Sequence, residues 1–121
     1  MSSSTSKAAR EPIDRRRRRH ERYRADFHVT VSRFSGNEYQ KIEGHCRDLS
    51  QAGIGILLAT ELNVGDVVGL TFLLHDSTTA WEVRAVIRYR HGYHYGFEFL
   101  SLPADRQGLL KDYLKILQAT S

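Results

Sequence analysis

From Trp81 to Tyr89 apolar residues fall at every second position: Trp81, Val83, Ala85, Ile87 and Tyr89, separated by Glu82, Arg84, Val86 and Arg88. A period of two belongs to a strand with one buried face. The same period appears at Phe27, Val29 and Val31, set against His28, Thr30 and Ser32, and again at Tyr93, Tyr95, Phe97 and Phe99. Three further short runs fit strands: residues 41–47, 53–58 and 67–74. Turn-forming stretches divide them, at "SGNEY" (35–39), "NVGD" (63–66), "HDST" (75–78) and "RHGY" (90–93). Six short strands at this spacing predict an all-β fold, a closed or nearly closed six-stranded antiparallel barrel.

The chain ends in a different period. Leu109, Leu110, Tyr113, Leu114 and Leu117 recur at helical spacing. Ser101 is placed to cap such a helix, with Pro103 in its first turn, so a helix is expected over about 102–118. Its stripe would cover an open end or edge of the barrel. A chain of 121 residues suffices for one domain and one modest core. No apolar run reaches the ~18 residues of a membrane span, and the N-terminus lacks the apolar segment of a secretory signal. Cys46 is the sole cysteine. It excludes an intrachain disulfide, fits a reducing cytoplasm, and reads as a small buried or half-buried strand residue.

The net charge of +4 conceals a split. Residues 1–24 carry nine Lys or Arg against three Asp or Glu, whereas residues 25–121 carry nine against eleven. Residues 1–14 are Ser-rich and poor in large apolar side chains, so a disordered tail is expected. Residues 15–24 hold seven arginines and form a basic arm, read as flexible, leading into the barrel at about residue 25. A nucleic-acid-binding domain usually spreads its positive charge over a folded face. Here the cations are local, which points to a local anion.

Two spacings bear on that anion. Arg18 and Arg22 stand as R-x-x-x-R just before the first strand, and Asp48, Ser50 and Gly53 follow about 25 residues later as D-x-S-x-x-G. Alone, the second is an ordinary turn pattern, because Asp and Ser open turns and Gly tolerates unusual backbone angles. Together the two motifs resemble the PilZ domain family, bacterial receptors for cyclic di-GMP. The resemblance extends over about residues 17–117 and includes the six-strand plan, "GFEF" (96–99) and the terminal helix. It implies a PilZ-type barrel that binds cyclic di-GMP. The arm's mutual repulsion and lack of apolar anchors predict that ligand phosphates order it on binding, and with no second domain expected the signal would pass to an effector protein in trans.

The residue types suit that ligand. The planar guanidinium of arginine binds phosphate in bidentate fashion and matches O6 and N7 of guanine. Its face stacks on a purine. A carboxylate only accepts hydrogen bonds, and guanine offers N1–H and an amino group where adenine offers an acceptor. If each charge-assisted bond nets roughly 1.5–3 kcal/mol, three or four cover the ~8 kcal/mol of micromolar affinity, before the cost of ordering the arm. The resemblance puts Arg18 and Arg22 on phosphate and guanine, and Asp48, Ser50 and Gly53 around a guanine. Arg19 is a further contact, and an arginine at Arg17 implies a stacked pair of ligand molecules per site. Arg15 and Arg19 also satisfy R-x-x-x-R, so the register within the arginine run stays open. Tyr89 reads as a core-facing aromatic in preference to a base-stacking one.

Two other readings stand beside this one: a ligand-independent protein–protein adapter on the same fold, and nonspecific nucleic-acid binding through the arm. The acidic body disfavours the latter. Monomer and weak dimer are both open. No enzyme is expected, since no nucleophile motif or glycine-rich phosphate loop occurs. None of the six histidines (His20, His28, His45, His75, His91, His94) has a carboxylate or cysteine at a recognised metal-ligand spacing, so no metal or cofactor is expected.

Overall fold

The structure is a computed structural model that describes residues 21–74 and 78–120. The expected disordered tail, Arg15–Arg19 of the arm and most of the 75–78 turn lie outside the described residues. Six strands and one helix follow in order: β1 (Tyr23–Ser35), β2 (Glu38–Leu49), β3 (Gly53–Leu57), β4 (Val67–Phe72), β5 (Trp81–His91), β6 (His94–Ser101) and α1 (Ala104–Thr120). All neighbouring strands are antiparallel, and the sheet closes as β1-β2-β3-β6-β5-β4. Closure leaves the inward positions of every strand to fill one core, among them Val29, Val31, Ile54, Ile56, Ile87, Tyr95 and Phe97. No helix among the described residues is long and apolar enough to cross a membrane.

The hairpins are tighter than the composition of their turns implied. Ser35 pairs with Glu38, leaving only Gly36 and Asn37 in the turn, with Gly36 at φ 65°. Two-residue hairpins need φ > 0 in the turn, which glycine supplies without a Cβ clash. The strands therefore zip to the tip, where the Phe34 and Tyr39 rings meet edge-on at 4.9 Å. The β5–β6 turn follows the same rule, with Gly92 at φ 61° and His91 paired to His94. Tyr93, expected as the first residue of the sixth strand, thus sits in the turn and is exposed.

The helix differs from expectation at its start. Ser101 stays in the β6 ladder, paired with Arg84, and does not cap α1. The first helical bond instead runs from Gln107 N–H to the Pro103 carbonyl at 2.9 Å, and the Gln107 side chain donates to the Leu102 carbonyl at 2.7 Å. Pro103 therefore sits just outside the helix, where its missing N–H costs nothing. Leu110 and Leu114 are buried, with Tyr113 and Leu117 packed beside them, and α1 lies against β1. Leu109 is exposed, because at 100° per residue it cannot share the inward face of Leu110.

Candidate functional site

The strand register builds one row across the barrel. Arg24 on β1 pairs with Asp48 on β2, Asp48 with Gly55 on β3, Gly55 with Gly96 on β6, and Gly96 with Tyr89 on β5. Its two central positions have no side chain, so the row is a shallow trough floored by glycine backbone. Neighbouring side chains lie over that floor. A Cβ on Gly55 would stand 2.5 and 2.8 Å from the Asp48 carboxylate oxygens and 2.7 Å from His94 Nε2. A Cβ on Gly96 would meet the Tyr89 ring at 2.1–2.6 Å. Both glycines are buried, and the atoms nearest their missing Cβ belong to these outward-lying side chains.

Tyr89 reaches this face through a bulge. Between Ile87 and Tyr89 the pairing of β5 with β6 slips, so two steps on β5 match one step from Phe97 to Gly96. An inserted residue reverses the side-chain alternation beyond it. Ile87 stays in the core, whereas Tyr89, expected to face inward, lies over Gly96 outside the core cluster.

Asp48 is the centre of the constellation. Arg22 Nη1 donates to its Oδ1 at 2.7 Å, and His94 Nε2 stands 3.2 Å from its Oδ2. An ionised carboxylate only accepts, so His94 donates from Nε2. The His94 ring stacks on Tyr89 with centroids 5.9 Å apart and planes 25° apart, and the Arg22 guanidinium lies 5.8 Å from the Tyr89 ring centre. Arg22, Asp48 and His94 are each about a quarter exposed (23%, 25% and 28%), which leaves the cluster open to a ligand yet partly shielded from water. Arg22 immediately precedes β1, so the end of the basic arm meets the D-x-S-x-x-G segment across 26 residues of sequence.

Ser50 and Gly53 lie behind Asp48. The Ser50 hydroxyl accepts from the N–H groups of Ala52 and Gly53 at 3.2 and 3.1 Å and lies 3.3 Å from the Gly53 carbonyl. Ser50 N–H donates to that same carbonyl at 2.9 Å. Its hydroxyl is buried in its own turn and fixes the β2–β3 connection. Gly53 permits a close approach, since a Cβ there would stand 2.2 Å from the Phe97 carbonyl oxygen. Of the residues singled out from sequence, Arg22, Asp48, Ser50 and Gly53 thus converge at one edge of the trough. Arg17, Arg18 and Arg19 lie outside the described residues.

No place in the site was read from the sequence for His94, Gly55 or Gly96, although a signal was present for the two glycines. In "GIGI" (53–56) and "YGF" (95–97) glycine alternates with core residues, so it takes the outward positions of strands whose other face is buried. Glycine weakens a strand, and its place there marks where other side chains lie against the backbone. The fold also gives three histidines carboxylate partners from distant positions in the sequence: His94 with Asp48, His28 with Glu43, and His45 with Asp26. The last two pairs are exposed on the outer surface of β1 and β2. Among the described residues no three His, Cys, Asp or Glu side chains are arranged to hold a metal ion. Cys46 is fully buried, and burial, aided by the Asp48 charge, pushes its thiol far above its ordinary ionisation range.

The chain matches the PilZ domain family model over residues 16–115. No curated protein matches it. Among solved structures it is similar to the PilZ domain of YcgR from Escherichia coli with cyclic di-GMP, at 18% identity and a TM-score of 0.68, covering 86% of this chain and 93% of that one. It is also similar to the inhibitor of motility MotI of Bacillus subtilis, at 22% identity and a TM-score of 0.69, covering 87% of this chain and 52% of that one. YcgR in complex with cyclic di-GMP matches at 19% identity and a TM-score of 0.65, covering 86% of this chain, which spans 47% of that one. At these identities the likeness is one of fold. The family match runs from the arginine arm into the terminal helix and takes in both motifs, the closed six-stranded barrel and the trough: the chain belongs to the PilZ domain family.

Proposed function

We propose that this chain is a receptor for cyclic di-GMP that acts by binding and carries out no chemistry on its ligand. One observation carries the reading. The Arg22–Asp48 contact joins the end of the arginine arm to the D-x-S-x-x-G segment on an open, glycine-floored face. That juxtaposition offers a guanidinium for phosphate and a carboxylate for the donor edge of guanine within one hydrogen-bond length of each other. Family membership supports the reading, as does the cyclic di-GMP named with the E. coli YcgR domain. Arg17, Arg18 and Arg19 precede Arg22 by three to five residues and are the further ligand contacts in this reading, within about 18 Å of extended chain. Ser50 and Gly53 act by holding Asp48 in place. Arg17 favours two stacked ligand molecules per site.

Binding orders the arm. Its cations repel one another, and ligand phosphates cancel that repulsion and draw the arm onto the trough. The ordered arm then presents a surface to an effector protein, so the signal passes in trans. The setting is the cytoplasm, in keeping with the one cysteine, a buried free thiol.

Calorimetric titration of the full chain with cyclic di-GMP, at moderate and high salt, tests this. Saturable binding that is lost in both Arg22→Ala and Asp48→Ala is the expected result, with a stoichiometry near two. No binding by the folded wild type refutes it. A nonspecific polyanion binder would instead weaken steeply with salt and tolerate or gain from Asp48→Ala, which removes a negative charge.

A further inference from the structure

We infer that His94 is a positioning residue for guanine recognition: its Nε2–H fixes the plane of the Asp48 carboxylate so that the carboxylate can receive two parallel donors. The inference rests on the cyclic di-GMP reading above and adds a residue that neither sequence motif contains.

The torsion that rotates a carboxylate about its Cβ–Cγ bond is broad, so one hydrogen bond leaves the group free to swing. Asp48 has two. Arg22 holds Oδ1 at 2.7 Å, and His94 lies against Oδ2 at 3.2 Å. Each carboxylate oxygen has two lone-pair sites. One on each oxygen therefore remains, and guanine presents N1–H and its exocyclic amino group as a pair of parallel donors that matches the two oxygens of a carboxylate. Adenine presents an acceptor at N1 and would face the carboxylate with like charge. A fixed fork discriminates between them better than a rotating one.

The two donors differ in permanence. Arg22 precedes the first strand, at the end of the arm, and is the group that the ligand phosphates compete for. His94 belongs to β6, is paired to Leu57 on one side and to His91 on the other, and stacks on Tyr89. It is therefore the donor that the barrel itself holds in place, and Arg22, with five N–H groups, can reach a phosphate while its Nη1 stays on Oδ1. Its ring nitrogen lies over Gly55, where a Cβ would come within 2.7 Å, so glycine at that position is what lets the imidazole reach the carboxylate. His94 acts through Asp48 and need not touch the ligand.

Two variants separate the donor from the ring. His94→Phe keeps a flat ring on Tyr89 but has no N–H. His94→Gln loses the ring but keeps an N–H donor at similar reach. Each is titrated with cyclic di-GMP and with cyclic di-AMP, beside the wild type and Asp48→Ala, with the melting temperature as a check on folding. A hydrogen bond to a charged group corresponds to about a 10- to 100-fold change in affinity. The expected result is a loss of that size for cyclic di-GMP in His94→Phe, recovery of most of it in His94→Gln, and little change for cyclic di-AMP. The preference for guanine then falls in His94→Phe, which a merely structural role would not produce. Wild-type affinity in His94→Phe with binding lost in Asp48→Ala overturns the inference and leaves the receptor reading intact. Equal losses in His94→Phe and His94→Gln overturn it as well. No binding by the wild type removes both.

Discussion

Gly53 and Gly55 lie two residues apart on β3, and the same substitution should fail in opposite ways at the two. A methyl at Gly53 would stand 2.2 Å from the Phe97 carbonyl oxygen and 3.2 Å from its carbon. That obstacle is backbone of the hydrogen-bonded neighbour β6, so it cannot swing aside. Overpacking of this kind costs about 1–3 kcal/mol, and a backbone obstacle puts Gly53→Ala at the upper end, roughly 10–20 °C in Tm for a domain of this size. The three atoms nearest a methyl at Gly55 would be the Asp48 carboxylate oxygens and His94 Nε2, at 2.5–2.8 Å. These ends of side chains need to retreat by about 1 Å to regain ordinary contact. Alanine also recovers roughly 0.5–1 kcal/mol of the entropy that glycine loses in a strand. Gly55→Ala should therefore fold with a Tm within about 5 °C of the wild type. Its displaced carboxylate should cost at least one charged hydrogen bond to the ligand, about tenfold or more in affinity. Thermal unfolding followed by circular dichroism, paired with calorimetric titration of cyclic di-GMP, reads both quantities. A Tm loss in Gly55→Ala as large as that in Gly53→Ala would refute the view that the closest obstacles at Gly55 are side-chain ends able to retreat. Undiminished affinity in a folded Gly55→Ala would refute the role of the carboxylate.

Leu110, 2% exposed, should lose about 2–5 kcal/mol on truncation to alanine. The adjacent Leu109, 52% exposed, should change stability by less than about 0.5 kcal/mol; urea unfolding of the two variants checks this. Cys46 should resist a thiol reagent in the native protein and react only with denaturant present, because its thiol is buried and stays protonated. Its folded ionisation lies above the unfolded value of 9.0, so the unfolded state alone releases the proton as pH rises past that point. Stability should then fall above about pH 9, by up to ~1.4 kcal/mol per pH unit, and Cys46→Ala should remove that part of the slope.

Much of the architecture is local and so was written in the sequence. Three runs of period two, three further short strand-like runs, glycine at the hairpin turns and one helical stripe specify the strands, their antiparallel order and the terminal helix, because backbone period and turn geometry depend on near neighbours. The two motifs were legible for the same reason: each lies within six consecutive residues. What the motifs meet was not legible. Asp48 and His94 are 46 residues apart and touch only because β3, set between β2 and β6 in the closed barrel, carries a glycine at the point of contact. Tyr89 follows the inward period of its strand in sequence and faces outward in the fold, because one bulge in the β5–β6 pairing reverses the alternation. Ser50 stands in a motif read as ligand contact, and its hydroxyl is turned into its own loop. A period states that a strand has two faces. Only the register of its neighbours, set by barrel closure and its bulges, decides which side chains share a face and stand within hydrogen-bond reach.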